Sequence, residues 1–351
     1  MKVLVTGGAG YIGSHTCKAL ALSGHDPIAL DNLSMGHKWA VRWGPLEHVE
    51  LADTKRVVDV IRHHRIEAVI HFAANAYVGE SMLEPLKYFN NNVGGTLSLL
   101  TAMQETQVSI LVFSSTCATY GCPTELPITE STPLVPINPY GESKLMVERC
   151  LKWLGDRKEL RWTALRYFNA AGADPLAEIG EEHEPETHLI PLAIRACIND
   201  STDRLKIFGS DYATADGTAI RDYVHVTDLA AAHVAALEAL VTRTLNCSIN
   251  LGTGHGTSVM QIVNAIQTVA GKPLRHDFYP RRPGDPDILV ADNNRARELL
   301  AWTPQHSAIE NIVEDAIRWE TGAVRKRFSR ATGMAAAYEE ACDRPLTVRN
   351  P

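Results

Sequence analysis

The chain begins with a glycine-rich turn between a predicted strand and a predicted helix. Residues 3–6, Val-Leu-Val-Thr, have the pattern of a buried strand, and a helical apolar periodicity begins near Ile12. Glycines let a backbone turn sharply and approach a pyrophosphate closely, while a helix N-terminus offers free N–H groups and a positive dipole end. The GxxGxxG spacing of Gly7, Gly10 and Gly13 therefore predicts a dinucleotide-binding βα unit.

A second predicted strand, over residues 26–30, ends at Asp31. A carboxylate at this place in a dinucleotide-binding unit can accept hydrogen bonds from the adenosine ribose hydroxyls, and it repels a 2′-phosphate. Taken alone, such an Asp would indicate only a solvated turn, but the glycine loop upstream favours a binding role. NAD is therefore favoured over NADP as the cofactor.

Tyr140 and Lys144 lie four residues apart on one face of a predicted helix. An ammonium beside a phenol favours the phenolate, which would let a tyrosine act as an acid or base near neutral pH. This spacing alone is common by chance, and exposed side chains would be the simpler interpretation. Ser114-Ser115-Thr116 ends a predicted strand between the two motifs. The three signals together indicate nicotinamide chemistry.

Strand and helix patterns alternate through the first 170 residues, which predicts an α/β fold with a doubly wound parallel sheet. Ligands of such sheets bind at the carboxyl ends of the strands, where Asp53, Phe72-Ala73-Ala74 and Tyr167-Phe168-Asn169 stand. The predicted strands cover residues 2–6, 26–30, 47–51, 67–73, 108–115 and 162–168.

Beyond residue 170, stretches rich in Gly, Pro and acidic residues predict loops around a second, smaller α/β domain. A helix over 227–240 and a strand over 247–252 are apolar enough to return to the main sheet. We therefore divide the chain into a Rossmann domain of residues 1–170 with 224–255, a substrate domain of residues 171–223 with 256–325, and a tail of residues 326–351.

Composition excludes several function classes. A net charge of −7 without a basic run in the predicted domains argues against nucleic acid as a partner. No apolar run approaches the ~20 residues that a membrane span needs, and no signal-peptide pattern is present, so we expect a cytoplasmic protein without a membrane partner. Seven cysteines without a CxxC pair indicate reduced thiols. The spacing of the histidines, His63-His64 included, predicts no metal site.

A series of motifs runs from residue 1 to about 320. The motifs are TGGAGYIGSHT, DNLS, HFAA followed by VGES, NNVGGT, FSSTCATYG, NPYGESKLMVE, LRYFNAAGADP, HEPETHLIPLAI, DGTAIRDYVHVTDLA, NLGTG and RRPGD. In order and spacing they resemble the UDP-glucose 4-epimerase family of the extended short-chain dehydrogenase/reductase superfamily. Some of the motifs look most like bacterial epimerases of polysaccharide synthesis, and a related group acts on UDP-xylose and UDP-arabinose.

The resemblance implies roles for three catalytic residues. Tyr140 would remove the proton of the sugar 4-hydroxyl while hydride passes from C4 to NAD, and Thr116 would hydrogen-bond the 4-oxygen. Lys144 would stabilise the phenolate and hold the nicotinamide ribose. The 4-keto sugar would then turn over, and hydride would return to its other face. Because this sequence is redox-neutral, NAD would act as a bound prosthetic cofactor.

The resemblance also implies binding roles. Arg221 and Arg282 could pair a diphosphate through bidentate hydrogen bonds, and Phe208 could stack on uracil or belong to the core. The cofactor contacts implied are Gly7, Gly10, Tyr11, Ile12, Gly13, Asp31, Asn32, Asp53, Thr54, Phe72, Ala73, Ala74, Asn91, Tyr140, Lys144 and Phe168. The substrate contacts implied are Thr116, Asn169, His188, Leu189, Lys206, Ile207, Phe208, Arg221, Arg282, Asp285 and Leu289.

Three positions depart from the family pattern. Ala76 replaces a lysine that lies near the cofactor, which bears on how tightly NAD is retained. His188 replaces an asparagine of the family, and its contact with the nucleotide is open. Leu289 occupies a position where a bulky Tyr restricts the pocket to unmodified hexoses and a small residue admits N-acetylated ones. Leucine is intermediate in size, so both sugar classes remain open.

Two other functions share these motifs. A sugar-nucleotide dehydratase would carry acidic residues after Thr116, where this chain has Cys117-Ala118-Thr119. A catalytically silent NAD-binding protein would be expected to lose the Tyr or the Lys, and both are present. The helices expected over 81–105 and 139–154 correspond to the family's dimer interface, so the resemblance also implies a homodimer.

Overall fold

The computed structural model describes residues 1–198, 204–282 and 284–322, so the predicted tail of residues 326–351 lies outside it. The first half contains β1 (Lys2–Thr6), α1 (Tyr11–Leu22), β2 (Asp26–Asp31), β3 (Leu46–His48), α2 (Thr54–His64), β4 (Ala68–His71), α3 (Val78–Leu83), α4 (Pro85–Tyr88), α5 (Gly95–Thr106), β5 (Ile110–Thr116), α6 (Pro139–Asp156) and β6 (Arg161–Tyr167).

The second half has shorter strands. It contains β7 (Asn169–Ala171), α7 (Leu189–Ile198), β8 (Leu205–Phe208), β9 (Ile220–Arg221), β10 (Tyr223–His225), α8 (Val226–Thr242), β11 (Cys247–Leu251), β12 (Thr257–Ser258), α9 (Val259–Ala270), β13 (His276–Tyr279), β14 (Ile288–Leu289), α10 (Asn294–Leu300) and α11 (Ile309–Thr321). Within the described residues, no helix has the length and apolar character needed to cross a membrane.

Seven strands form one parallel sheet in the order β11-β6-β5-β4-β1-β2-β3. Every residue of β5 is buried, as expected for a strand covered on both faces. Because β2 lies on one side of β1 and β4 on the other, the crevice outside the carboxyl ends of β1 and β4 is the switch point where such sheets bind ligands. The predicted doubly wound α/β fold is confirmed.

Each face of the sheet is covered by its own helices. Val57 of α2, Leu99 of α5 and Leu151 of α6 belong to the core on one face. Leu20 of α1 and Leu237 of α8 belong to the core on the other face. The apolar residues whose periodicity predicted these strands and helices are therefore buried in the two cores. Helix α8 and strand β11 return to the main sheet, as expected.

A second hydrophobic core forms where α7, α9 and α11 pack together. It includes Ile194, Ile266 and Val313, and it also takes Leu205 and Ile207 from β8. Three small sheets, β10-β7, β12-β9-β14 and β13-β8, form outside the main sheet. Strands β7, β8, β9 and β14 of these sheets carry six of the eleven predicted substrate residues.

The helix expected over residues 81–105 is the main error in the predicted elements. The segment consists of α3, α4, a π-helical turn over Phe89–Gly94 and α5. The first break falls at Glu84, whose backbone is not helical, at φ −126° and ψ 61°, directly before Pro85. Proline disfavours the helical conformation of the residue before it, and that preference ends α3.

Candidate active site at the carboxyl edge of the sheet

The glycine loop leaves no room for side chains. Gly7 has a φ of +71°, and a Cβ there would lie 2.7 Å from the backbone nitrogen of Ala73. A Cβ on Gly13 would collide with the carbonyl oxygen of Gly7. Gly10 caps α1 without a side-chain hydrogen bond, so no side chain caps the first turn of that helix. A tight backbone cradle at an uncapped helix N-terminus fits an anionic pyrophosphate.

Asp31 ends β2 beside this loop. Its carboxylate accepts hydrogen bonds from the backbone N–H of Ala9 at 3.0 Å and of Leu33 at 2.8 Å. Burial raises the pKa of Asp31, and the two backbone hydrogen bonds oppose that shift. The carboxylate is therefore held in place at the carboxyl edge, where its remaining lone pairs fit ribose hydroxyls.

Thr116, Tyr140 and Lys144 meet at the carboxyl end of β5. Thr116 is the last residue of that strand, and its hydroxyl lies close enough to Tyr140 to lower the pKa of the phenol. Lys144 lies one turn further along α6, where its Nζ donates to the carbonyl oxygen of Ser114 at 2.9 Å. Gly141 permits this approach, because a Cβ at that position would lie 2.5 Å from the carbonyl oxygen of Ala118.

Burial controls the proton affinities of the pair. Desolvation raises the pKa of Tyr140 well above its usual value of 10, and the nearby hydroxyl of Thr116 opposes the shift. Desolvation lowers the pKa of Lys144 to about 7, and the charge of Glu148 opposes it. Protein groups alone therefore favour the neutral phenol, in contrast to our expectation that the lysine would produce a phenolate.

The two predicted diphosphate residues lie in the second half of the chain, Arg221 in β9 and Arg282 in the loop after β13, and Asp285, the partner of Arg221, donates its backbone N–H to the carbonyl oxygen of Arg282 at 3.2 Å. Arg221 in β9 donates to the carboxylate of Asp285 at 2.5 Å, and Leu289 in β14 is its register partner. The guanidinium of Arg282 lies 4.4 Å from the ring centroid of Phe208. Two arginines, one carboxylate and one half-buried aromatic ring thus form a polar cluster that suits a nucleoside diphosphate.

The family model described as "NAD dependent epimerase/dehydratase family" matches residues 3–252. The chain belongs to this family. A UDP-glucose 4-epimerase of Rhizobium meliloti (strain 1021) is 49% identical over 320 residues, which are 91% of this chain and 97% of that protein. The family resemblance inferred from the motifs is therefore confirmed.

Solved structures of epimerases share the fold. The UDP-glucose 4-epimerase of Brucella ovis in complex with NAD is 50% identical with a TM-score of 0.88, covering 91% of this chain and 98% of that one. The enzyme of Stenotrophomonas maltophila, with bound NAD and formylated UDP-arabinopyranose, is 37% identical with a TM-score of 0.89, covering 94% of this chain and 99% of that one.

The family uses NAD, and the other predicted cofactor residues line the same edge. Asp53 caps α2 by accepting from the backbone N–H of Arg56 at 3.1 Å, and Thr54 bonds Ser98 at 2.7 Å. Phe72, Ala73 and Ala74 follow β4, and Ile12 lies in the first turn of α1. Asn32 and Asn91 lie in loop and π-helical backbone near β2 and β4, and Phe168 is buried directly after β6.

Five further predicted residues have contacts or positions within the protein's own structure. The hydroxyl of Tyr11 donates to the carbonyl oxygen of Gly172 at 2.6 Å, which ties the glycine loop to the segment after β7. The side chain of Ile207 lies in the second core, so only its backbone can face a ligand. Asn169 starts β7, Leu189 starts α7, and Lys206 lies with its Nζ 5.6 Å from the ring of Tyr279.

His188 belongs to a charged cluster that the sequence analysis missed. Its Nδ1 lies 2.6 Å from Glu181 and 3.2 Å from Glu186, and His183 lies against the same two carboxylates. Burial opposes protonation of His188, but the two carboxylates outweigh it and raise the pKa to about 10. The interleaved order Glu181-x-His183-x-x-Glu186-x-His188 was the available signal.

Proposed function

We propose that the protein is a UDP-glucose 4-epimerase that interconverts UDP-glucose and UDP-galactose. The meeting of Thr116, Tyr140 and Lys144 at the carboxyl end of β5 carries the proposal, because it places an acid/base and a second hydroxyl at the edge that holds the glycine loop. The relatives named above support the substrate class, and the order of motifs supports the reaction.

Tyr140 is the acid/base of the reaction. As a phenolate, it takes the proton of the sugar 4-hydroxyl and later returns it, while Thr116 holds the same sugar oxygen by a hydrogen bond. Burial lowers the pKa of Lys144 to about 7, so the ammonium form is available near neutral pH, and the charge of Glu148 favours that form. NAD held by the glycine loop and Asp31 would accept and return the C4 hydride, and the positive charge of its oxidised ring would favour the phenolate of Tyr140.

Arg221 and Arg282 hold the substrate diphosphate. Both guanidiniums already have partners, Asp285 and the face of Phe208, that fix their positions before the substrate binds. Charge-assisted bonds from two such groups hold the nucleotide firmly. The sugar must turn over between the two hydride transfers, so firm binding at the diphosphate and loose binding at the sugar suit the reaction.

A UDP-xylose/UDP-arabinose 4-epimerase, or an enzyme with both activities, is the second candidate. The Stenotrophomonas maltophila structure with a UDP-arabinopyranose derivative favours it at 37% identity. Leu289 does not decide between the two candidates, because its medium size matches neither a closed hexose pocket nor an open one. A dehydratase is disfavoured by the residues after Thr116, none of which is acidic up to Thr119.

A substrate panel tests the proposal. Purified protein is incubated without added NAD with UDP-galactose, UDP-arabinopyranose or UDP-N-acetylgalactosamine, and the products are separated by chromatography. We expect UDP-galactose to convert fastest, which also requires retained NAD. Fastest conversion of the pentose would replace the proposal by the second candidate, and no conversion even with added NAD would refute an epimerase.

We propose that the protein is a homodimer. α6 packs against α3 and α4, and this helix group exposes large apolar side chains, with Leu83 at 84%, Leu86 at 72% and Trp153 at 74% exposure. Two such faces fit an isologous contact. Leu83→Lys should give a monomer in analytical ultracentrifugation, whereas Leu22→Lys, at a leucine that is 77% exposed on α1, should not. A monomeric wild type would refute the homodimer.

We also propose the domain division and a location. Residues 1–170 with 224–255 hold the cofactor, and residues 171–223 with 256–325 hold the substrate, in line with the two separate cores. All six cysteines in the described residues are free, which suits the reducing cytoplasm. The product UDP-galactose would serve galactose metabolism and polysaccharide synthesis.

A further inference from the structure

The segment between β7 and α7 brings two glutamates and two histidines to one point. Each of Glu181, His183, Glu186 and His188 offers one ligand atom, and all four atoms lie within 4.8 Å of one another. The Nδ1 atom of His183 lies 3.2 Å from Glu181 and 3.8 Å from Glu186. The Nδ1 atom of His188 lies 2.6 Å and 3.2 Å from the same two carboxylates.

Two of these separations match an edge of a metal coordination polyhedron. Ligand atoms at about 2.0–2.1 Å from a tetrahedral zinc ion lie about 3.3 Å from each other. The distances from His183 to Glu181 and from His188 to Glu186, both 3.2 Å, are close to that edge. The distance from His183 to the other oxygen of Glu186, 3.8 Å, is longer, and the distance from His188 to Glu181, 2.6 Å, is shorter. Histidine nitrogens and carboxylate oxygens, the ligand atoms offered here, are common ligands of zinc.

Two buried atoms in the cluster lack hydrogen-bond partners. Oε2 of Glu186 and Nδ1 of His183 have none, although the Glu186 side chain is only 2% exposed. The 3.8 Å between them is too long for a hydrogen bond. A buried carboxylate oxygen without a donor is costly, and a cation between the two atoms would remove that cost.

We propose that Glu181, His183, Glu186 and His188 bind one divalent transition-metal ion, with zinc as the best match. The ligands come from one short segment, so the ion closes that segment into a rigid loop. This is a binding site separate from the Thr116 and Tyr140 chemistry, and it replaces our expectation from sequence that the chain holds no metal.

The position of the loop gives the ion a structural role. The ring of His183 lies edge-on to the rings of Tyr11, at 6.3 Å, and Tyr77, at 6.1 Å. The hydroxyl of Tyr77 also donates to the carbonyl oxygen of Pro185 at 3.3 Å. Since Tyr11 belongs to the glycine loop and Tyr77 follows β4, a metal-fixed segment would hold both sides of the cofactor crevice in register.

Metal content and binding of the full chain test the proposal. Untagged protein is purified without chelators, and its metals are measured by inductively coupled plasma mass spectrometry, with about one zinc per chain expected. After removal of the metal by a chelator, titration with Zn²⁺ in a calorimeter should show one site and should raise the melting temperature. Co²⁺ in the same site should give the intense visible bands of tetrahedral coordination.

Variants separate a metal site from an ion-pair cluster. Loss of a residue that only hydrogen-bonds a metal ligand weakens metal binding by about tenfold to hundredfold. Glu186→Gln and His183→Gln each remove a ligand, so each should weaken Zn²⁺ binding by more than that. His63→Ala, at an exposed histidine on α2, should bind one zinc as the wild type does. Circular dichroism establishes that each variant is folded, and the two ligand variants give independent readings if one of them is not.

The absence of metal binding would contradict the proposal. If the purified chain carries no stoichiometric metal, and the chelated chain neither binds Zn²⁺ nor changes its melting temperature on adding it, the proposal is wrong. The four residues would then be two imidazolium–carboxylate pairs. The result is independent of the substrate panel, because metal content is measured without turnover.

Discussion

Glu148 and Arg166 form a buried, bidentate ion pair between α6 and the sheet. Nε of Arg166 donates to one carboxylate oxygen at 2.9 Å and a terminal nitrogen donates to the other at 2.5 Å, with both side chains 5% exposed. Glu148 also accepts from Ser115, the residue before Thr116, at 2.5 Å. The pair therefore fixes α6, which carries Tyr140 and Lys144, against β6 and against β5, which ends at Thr116.

Removing one charge of this pair should destabilise the protein. Glu148→Gln leaves a buried guanidinium without its counter-charge, which costs about 3–5 kcal/mol. Urea unfolding measures the change. Glu142→Gln is the matched control on the same helix, because its 3.5 Å contact is with Arg149, whose side chain is 60% exposed, and such surface pairs contribute about 0–1 kcal/mol. Equal losses for the two variants would contradict the assigned role.

Tyr140→Phe should remove most turnover and leave the fold and the bound NAD. Loss of a positioned acid/base lowers the rate by about 10²–10⁴-fold. The measurements are epimerisation rate, NAD released on denaturation, and melting temperature. Tyr88→Phe also removes a buried tyrosine hydroxyl, one that bonds Glu80 at 2.7 Å, and it should retain activity. Near-wild-type turnover of Tyr140→Phe would exclude Tyr140 as the acid/base.

Thr116 gives a second test of the same site through a conservative pair of variants. Thr116→Ser keeps the hydroxyl next to Tyr140, whereas Thr116→Val keeps the shape of the side chain and loses the hydroxyl. We expect the serine variant to remain active and the valine variant to lose activity. If both variants behaved alike, the hydroxyl would have no part in the reaction.

The glycine loop should tolerate no methyl group at its third glycine. Gly13→Ala places a Cβ against the Gly7 carbonyl oxygen, so the loop must shift and NAD binding should be lost. Gly79→Ala is the control, because a Cβ at that position in α3 meets no atom within 4 Å, and alanine favours a helix. Bound NAD is measured after purification. Full NAD content in Gly13→Ala would show that the loop does not hold the pyrophosphate.

The sequence predicted the parts of the site that depend on local chemistry. The spacing of Gly7, Gly10 and Gly13, and the placement of Asp31 and Thr116 after buried strands, follow from the strand–turn–helix pattern, and the structure places all of them at the carboxyl edge. The doubly wound fold followed from the same alternation of periodic segments.

Properties that depend on tertiary burial could not be predicted in this way. The raised pKa of Tyr140 comes from desolvation, which cannot be predicted from the spacing between Tyr140 and Lys144. The His and Glu cluster of residues 181–188 needed the loop conformation to bring alternate side chains together. The helix break at Glu84 and Pro85 could have been predicted from the proline. The apolar periodicity of the flanking segments instead favoured one continuous helix.

Acid should destabilise the protein through a histidine buried in the sheet. His71 lies between the hydroxyls of Thr6 at 2.6 Å and Thr96 at 2.8 Å, and burial lowers its pKa from 6.5 to about 3. Between these two values the unfolded chain binds more protons than the folded one, so stability is complete above about pH 6.5 and is lost as the pH falls.

The variant His71→Asn removes this titration. Between about pH 6.5 and pH 5, the free energy of unfolding of the wild type should fall more steeply than that of the variant, by up to about 1.4 kcal/mol per pH unit. Urea unfolding across pH measures the two slopes, and the slopes are compared because the variant also loses packing. Above pH 7 both curves should run parallel, since the imidazole is neutral in both states. Parallel curves at acid pH as well would mean that His71 takes up its proton while the protein is still folded.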